Sequence, residues 1–149
     1  MSRFHSEPLD LPEEREEVVR ADLIFYGVDH SGPSYEARIF LDNARASADT
    51  PRTTEEGYAG SFTVFGHGGC FGSEGHCAPG ERTTDEFDRR PPHPLTKQTV
   101  SVEVTDALAR IEAGQVKVHV VAVVPEGPAK ATGIADVPPC ERVRLATYA

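Results

Sequence analysis

Apolar and polar residues alternate along much of the chain with the two-residue period of β-strands. In residues 34–41 the apolar side chains fall on one face, whereas Glu36 and Arg38 fall on the other. Residues 98–104 alternate as strictly, and the valine-rich residues 116–124 give the clearest strand pattern. Because successive side chains of a strand point to opposite faces, the pattern predicts strands with one buried face.

Other segments complete a predicted all-β fold. Three of them are rich in β-branched and aromatic residues, a composition that favours strands. These segments are residues 21–28, 58–65 and 142–148. Thr105 predicts the N-cap of one short helix over residues 106–113, which Gly114 ends. We therefore expect an antiparallel β-sandwich with long loops and one short helix.

Two stretches lack the strand pattern. Residues 1–20 are polar and acidic, and they predict either an acidic tail or a short helix after Pro12. Residues 66–96 are rich in glycine and proline and carry three of the six histidines. A loop of about thirty residues is unusual in a compact domain unless it is functional or held by something else. The expected division is an N-terminal segment 1–20 and a β-sandwich domain 21–149 that carries this loop.

Charge and hydropathy narrow the classes of partner. The 149 residues include 15 Lys and Arg against 24 Asp and Glu, a formal net charge of −9. This acidic balance argues against binding to nucleic acid, because phosphate contacts need clustered basic side chains. No apolar run is long enough to cross a bilayer, and the N-terminus has no stretch of signal-peptide type. We expect a cytoplasmic protein that binds neither nucleic acid nor membrane.

The densest group of chemically active residues lies within residues 66–77, which read GHGGCFGSEGHC. It contains His67, Cys70, His76 and Cys77. Thiolate and imidazole ligands suit zinc or copper(I), and the intervening glycines let the backbone wrap closely. His76 and Cys77 are adjacent, and adjacent residues point opposite ways in an extended chain. The spacing therefore favours His67, Cys70 and one of that pair as ligands. His93 is the nearest candidate for a further ligand.

Two other interpretations of this loop stay open. Cys70 and Cys77 could form a local disulfide, or they could be free thiols in a glycine-rich loop without metal. A total of three cysteines and the lack of an export signal favour thiols or metal ligands over a disulfide framework. The third cysteine, Cys140, is expected to be half-buried and ordinary.

The histidines outside the loop predict no site. His30 follows the first strand at a turn and is expected to be a surface residue. His119 alternates with Lys117 and Val121, so it is expected to face solvent or the edge of a layer. His5 lies in the acidic segment. The common enzyme motifs for serine hydrolases, phosphate-binding loops, dinucleotide binding and zinc peptidases are absent.

Three segments together resemble a known domain. They read SYEARIFLDNARASADTP, GYAGSFTVFGHG and TVSVEVTDAL followed by the valine-rich strand. Between residues 21 and 125 the chain resembles the C-terminal β-sandwich domain of the type-3 copper family, which includes tyrosinases, polyphenol oxidases, o-aminophenol oxidases and hemocyanins. The most specific part is the sequence YAGSF from Tyr58, followed by Phe65, Gly66 and His67.

The resemblance implies an accessory role. In that family the copper site lies in a separate helical domain and uses six histidines on helices. No histidine of this chain has the H-x₃-H spacing or lies on a predicted helix, so those ligands have no counterparts here. What is implied is a non-catalytic domain that covers the copper site, supports folding or helps to deliver copper. Cys70 and Cys77 resemble cysteines that some members use for copper loading, although six residues separate them instead of two.

The leading hypothesis is therefore an accessory domain that binds copper or zinc in the loop of residues 66–93 and associates with a type-3 copper oxidase. A stand-alone metal-dependent oxidoreductase is the first alternative. In that case His67, His76 and His93 would leave an open coordination position on the metal. The second alternative is a metal-free interaction domain whose loop is only glycine-rich.

Overall fold

A computed structural model describes residues 2–66, 87, 96–125 and 138–149 of the chain. In these residues the chain forms antiparallel sheets and one short helix, which confirms the predicted all-β sandwich. Short 3-10 helices lie at Arg15–Glu17 and Thr54–Glu56. The strands and the helix are β1 (Arg3–His5), β2 (Leu9–Asp10), β3 (Arg20–Val28), β4 (Tyr35–Leu41), β5 (Tyr58–Val64), β6 (Gln98–Glu103), α1 (Thr105–Ala109), β7 (Gln115–Val116), β8 (Val118–Val123) and β9 (Arg142–Tyr148).

Two sheets enclose the main core. The four-stranded sheet has the order β1-β8-β4-β5, and the three-stranded sheet has the order β6-β3-β9. Strands β2 and β7 form a separate short pair. The inner faces meet where the rings of Phe25 and Phe62 pack with centroids 5.1 Å apart. Ala37, Ile39 and Leu41 of β4 are all buried in this core, as their alternation predicts. Burial of this apolar surface is the main source of stability.

A smaller apolar cluster lies on the outer face of the four-stranded sheet. Phe40, Ala46 and Val121 form it, and all three are buried. The segment after β4 covers this face, and Arg38 Nη1 holds it by donating a hydrogen bond of 2.7 Å to the carbonyl oxygen of Ala48. The outer face of β4 is therefore buried at Phe40, near the end of the strand, although the outer face of a two-layer sandwich is expected to be exposed to solvent.

The helix differs from its prediction. Thr105 is the first residue of α1, not its cap, and the helix ends at Ala109 instead of continuing to residue 113. The hydroxyl of Thr105 accepts a hydrogen bond of 3.0 Å from the amide of Ala21 and donates to Glu103. This side chain ties the start of the helix to strand β3, so it does not cap the amides of its own helix.

The valine-rich segment 116–124 is divided between strands β7 and β8. The break falls at Lys117, whose amide donates to Oδ1 of Asp42 at 2.8 Å. The carbonyl oxygen of Lys117 in turn accepts a bond of 2.9 Å from the amide of Asp42. The backbone at Lys117 is thus used by the turn that follows β4.

Residues 1–20, for which the sequence predicts an acidic tail or a short helix, contribute two strands and a 3-10 helix. Strand β1 pairs with β8, and β2 pairs with β7. The side chain of Phe4 packs against the main core. No helix among the described parts of the chain is both long and apolar enough to cross a bilayer.

Candidate functional site

The predicted metal ligands His67, Cys70, His76, Cys77 and His93 all lie outside the described residues. The structure does describe both ends of the loop that contains them. Four short segments surround these ends at one end of the sandwich, and we call them together the loop base. The segments are the turn 29–34, residues 64–66, residues 96–97 and residues 139–141.

The loop begins in close contact with the turn. The amide of Gly66 donates a hydrogen bond of 3.0 Å to Oγ of Ser34. A Cβ atom at Gly66 would overlap the carbonyl oxygen of Gly32 and the backbone of Pro33. Glycine is therefore needed here because the two backbones pass too close for any side chain.

The loop ends on the same turn. Nε2 of His30 lies 2.8 Å from the carbonyl oxygen of Thr96, and because a carbonyl only accepts, Nε2 is the donor. His30 is half-buried at the surface, where the sequence places it. The turn 29–34 thus contacts both the first and the last described residues of the loop, which brings the two ends together.

Hydrogen bonds within the turn stabilise its charged residue. Oδ1 of Asp29 accepts from the amide of Ser31 at 2.8 Å and from its hydroxyl at 2.6 Å. These bonds lower the pKa of Asp29, with smaller contributions from the nearby Lys97 and His30, while partial burial opposes them. Asp29 is therefore a carboxylate at neutral pH, and it keeps the turn closed.

Residues 139–141 form the opposite wall of the loop base. The hydroxyl of Tyr35 donates to the carbonyl oxygen of Pro139 at 3.3 Å, and the amide of Glu141 donates to the carbonyl oxygen of Tyr26 at 2.9 Å. Lys97 forms an ion pair with Glu141. Both of these charged side chains are about half exposed, so the pair positions residue 97 more than it stabilises the fold.

Cys140 is fully buried in this wall, deeper than the half-buried position expected from the sequence. Burial raises the pKa of its thiol to about 12, and burial likewise raises the pKa of the neighbouring Tyr35 to about 12. Cys140 is therefore a protonated thiol at neutral pH. Metals and electrophiles react with the thiolate, so a protonated thiol is unreactive toward both. Cys140 therefore serves as a core side chain.

The loop base supplies hydrogen bonds, the carboxylate of Asp29 and the ion pair of Lys97 with Glu141. Within the described residues, no three His, Cys, Asp or Glu side chains are grouped so that they could hold a metal ion. The base can therefore fix where the loop starts and ends. The predicted ligands belong to the loop itself.

A second histidine site is on the four-stranded sheet, and the sequence does not predict it. His5 of β1 and His119 of β8 are cross-strand partners, with their Nδ1 atoms 2.6 Å apart. His119 is only 5% exposed, so the expectation that it faces solvent is wrong. It is covered because β1 lies on one side of it and Phe40 of β4 on the other. Burial, and after it the neighbouring His5, lowers the pKa of His119.

Comparisons with known proteins show a likeness of fold. No protein-family model matches the chain, and no curated protein sequence matches it. The structure is similar to that of recombinant latent aurone synthase, a polyphenol oxidase, with a TM-score of 0.52 and 13% identity. The same enzyme from its natural source gives a TM-score of 0.52 and 14% identity. Each match covers 98% of this chain and 24% of the enzyme, so the chain has the size and fold of one β-rich part of a polyphenol oxidase.

Proposed function

We propose that this chain is a non-catalytic accessory domain of the type-3 copper oxidases, which associates with an oxidase and binds copper or zinc through the loop of residues 66–93. The observation that carries the proposal is the match of nearly the whole chain to 24% of a polyphenol oxidase. The other three quarters of such an enzyme leave room for a catalytic domain. The chain itself shows none of the common catalytic motifs.

Association with an oxidase is supported by the nature of the similar proteins and by the loop base. Those proteins are described as latent polyphenol oxidases. A domain that covers an active site is one way to keep an enzyme latent. Phe65, at the start of the loop, is 79% exposed, and aromatic side chains are enriched at the buried centres of protein interfaces. We propose that the loop-base end of the sandwich faces the oxidase.

Metal binding is supported by the energetics of ordering this loop. Fixing the backbone of one residue costs about 1–2 kcal/mol, and glycine loses more freedom than other residues. A copper(I) or zinc ion held by His67, Cys70 and either His76 or Cys77 would offset that cost. A cytoplasmic location, which we also propose, would keep both cysteines reduced and available as thiolates.

The metal is tested by measuring copper(I) and zinc per chain in protein purified under reducing conditions. The double variant Cys70→Ser/Cys77→Ser is expected to bind less than one ion per chain, whereas the wild type binds one. Cys140→Ala is the matched control and should retain the metal, because its buried thiol is protonated. Full occupancy in the double variant would exclude a thiolate site, and a metal-free wild type would favour the interaction domain.

Association with an oxidase is tested separately. The chain is mixed with the catalytic domain of a polyphenol oxidase, and co-elution and diphenol oxidation are measured. We expect a complex with reduced activity, weakened by Phe65→Ser. Tyr148→Ser is the matched control, because Tyr148 is also exposed but lies at the far end of β9 from the loop base. Separate elution with full activity would contradict the proposal, and oxidation by the metal-loaded chain alone would favour the oxidoreductase.

A further inference from the structure

We propose that the His5–His119 pair is a pH-dependent latch that holds strand β1 on the four-stranded sheet at neutral pH and releases it below about pH 6. The inference is independent of the proposed function. It rests on the geometry of two imidazoles that share one hydrogen bond, and on how little else holds β1 in place.

The hydrogen bond between the two rings requires one proton in a defined place. The Nδ1 atoms of His5 and His119 face each other at 2.6 Å, and the ring centroids are 4.9 Å apart. One Nδ1 must carry a hydrogen while the other offers its lone pair. One added proton can be taken up by Nε2 of the donor ring without loss of this bond, but a second added proton places two Nδ1–H groups opposite each other. The hydrogen bond is then lost, and when both rings are charged they also repel each other.

The surroundings of His119 oppose its protonation on balance. Its removal from water is the largest effect, and the charges of His5 and Lys117 act in the same direction. Asp42 acts in the opposite direction, but one of its carboxylate oxygens already accepts the amide of Lys117. The facing residue of β4 is Phe40, which carries no charge. Binding of a second proton to the two rings is therefore unfavourable while the strands remain paired.

Within the described residues, a small set of other contacts holds β1. It contains three residues and pairs with β8 at the edge of the sheet. The amide of Ser6 donates to the carbonyl oxygen of Val118 at 2.9 Å, and the hydroxyl oxygen of Ser6 accepts from the amide of Val118 at 2.8 Å. The amide of Ala122 donates to the carbonyl oxygen of Ser2 at 3.0 Å. The side chain of Phe4 is partly buried against the core. A short edge strand with so few contacts opens more easily than the rest of the sheet.

Proton linkage gives the direction of the effect. In the released state the imidazole of His119 returns to the ordinary histidine pKa of about 6.5, whereas burial in the latched state lowers this pKa. The released state therefore binds more protons below pH 6.5, and the opening equilibrium rises by up to about tenfold per pH unit for each extra proton. Above about pH 7 the latch stays closed. Release leaves the backbone edge of β8 free, and such an edge accepts another strand.

Amide hydrogen exchange measured by NMR on the full chain tests the latch between pH 7.5 and 5.0. A chelator is present, and the rates are corrected for the intrinsic effect of pH. The reporting amides are those of Ser6 and Ala122. Their hydrogen bonds join the two residues that flank β1, Ser2 and Ser6, to strand β8. We expect their protection to fall about tenfold or more, while the amides of the central strand β3 stay protected. Equal loss in β3 would mean global unfolding and would overturn the proposal.

Two variants isolate the histidine pair. His5→Gln removes the ring that bonds to His119 at an exposed position, so protection of Ser6 and Ala122 should depend less steeply on pH than in the wild type. His30→Gln is the matched control, because His30 bonds to Thr96 at the loop base, and it should keep the wild-type profile. Constant protection in the wild type, or a pH profile as steep in His5→Gln as in the wild type, would overturn the latch.

Discussion

The loop base and the edge between β1 and β8 each depend on a histidine hydrogen bond, but only one of the two bonds tolerates protonation of the rings that form it. His30 donates Nε2–H to the carbonyl oxygen of Thr96, and both the neutral and the charged ring can make that bond. His5 and His119 bond to each other through their Nδ1 atoms, so one of these two atoms must carry no hydrogen. The same side chain therefore gives a bond that persists in acid at one site and a bond that fails in acid at the other.

The two regions also differ in how many contacts hold them. The loop base combines a tight backbone approach at Gly66, the hydroxyl of Ser34, the ring of His30 and the walls around Cys140. The β1 edge relies on three paired residues, the hydrogen bonds of the flanking serines, the partly buried ring of Phe4 and the contact between His5 and His119. The base is expected to be rigid, whereas the edge is adjustable.

The largest expected effect is at the start of the loop. Gly66→Ala inserts a methyl group against the backbone of Gly32 and Pro33, which cannot move like a flexible side chain. We expect the free energy of unfolding to fall by about 1–3 kcal/mol, the usual cost of overpacking. Urea denaturation measures the change.

A matched glycine controls this prediction. A Cβ at Gly114 meets nothing within 4 Å, and the backbone there is not left-handed. Gly114→Ala should therefore be neutral or slightly stabilising, by up to about 1 kcal/mol, because it restricts the unfolded chain. If the two alanine variants had the same stability, the loop base would not be the tightly packed region described above.

A pair of serine variants compares the two regions directly. Ser6→Ala removes the acceptor of the Val118 amide, which is fully buried, and Ser34→Ala removes the acceptor of the Gly66 amide, which water can reach. We expect Ser6→Ala to cost about 1–2 kcal/mol and Ser34→Ala to cost less than about 1 kcal/mol, because an unsatisfied buried donor is the more expensive loss. Thermal and urea denaturation of both variants give the ranking, and the reverse order would refute it.

The smallest expected effect is the acid response of the turn. The folded-state pKa of Asp29 is lowered, so its contribution to stability is complete above about pH 5 and is lost as the pH falls below about 4. Asp29→Asn should remove that part of the acid dependence. The change should be well below the ~1 kcal/mol of a typical net hydrogen bond, because the carboxylate is largely exposed. Melting temperatures between pH 2 and 7 provide the measurement, and an unchanged acid profile in the variant would contradict the assignment.

Most strands could be predicted from the sequence because a half-buried strand imposes its two-residue period on neighbouring positions. The segments that became β3, β4, β5, β6 and β9 were all predicted within one or two residues. Two departures from the predictions share one cause. Thr105 bonds to Ala21, and the backbone of Lys117 bonds to Asp42, so a distant partner decided the local structure in both cases.

The candidate sites divide in the same way. A loop rich in histidine, cysteine and glycine is visible in the sequence because its residues are neighbours in the chain, and its five predicted ligands remain a prediction. The turn that contacts both of its ends has no such signal. The pairing of His5 with His119 has none either, because 114 residues separate them.

The positions of the longer strands, the acidic balance of the chain and the concentration of soft metal ligands in one loop could all be recognised in the sequence. These properties depend on the identity and spacing of neighbouring residues. The adjacency of the strands emerged only in the folded protein, and so did the burial of His119 and the position of His30 against Thr96. Pairing between distant strands is selected by burial and register across the whole sandwich, which no local pattern records.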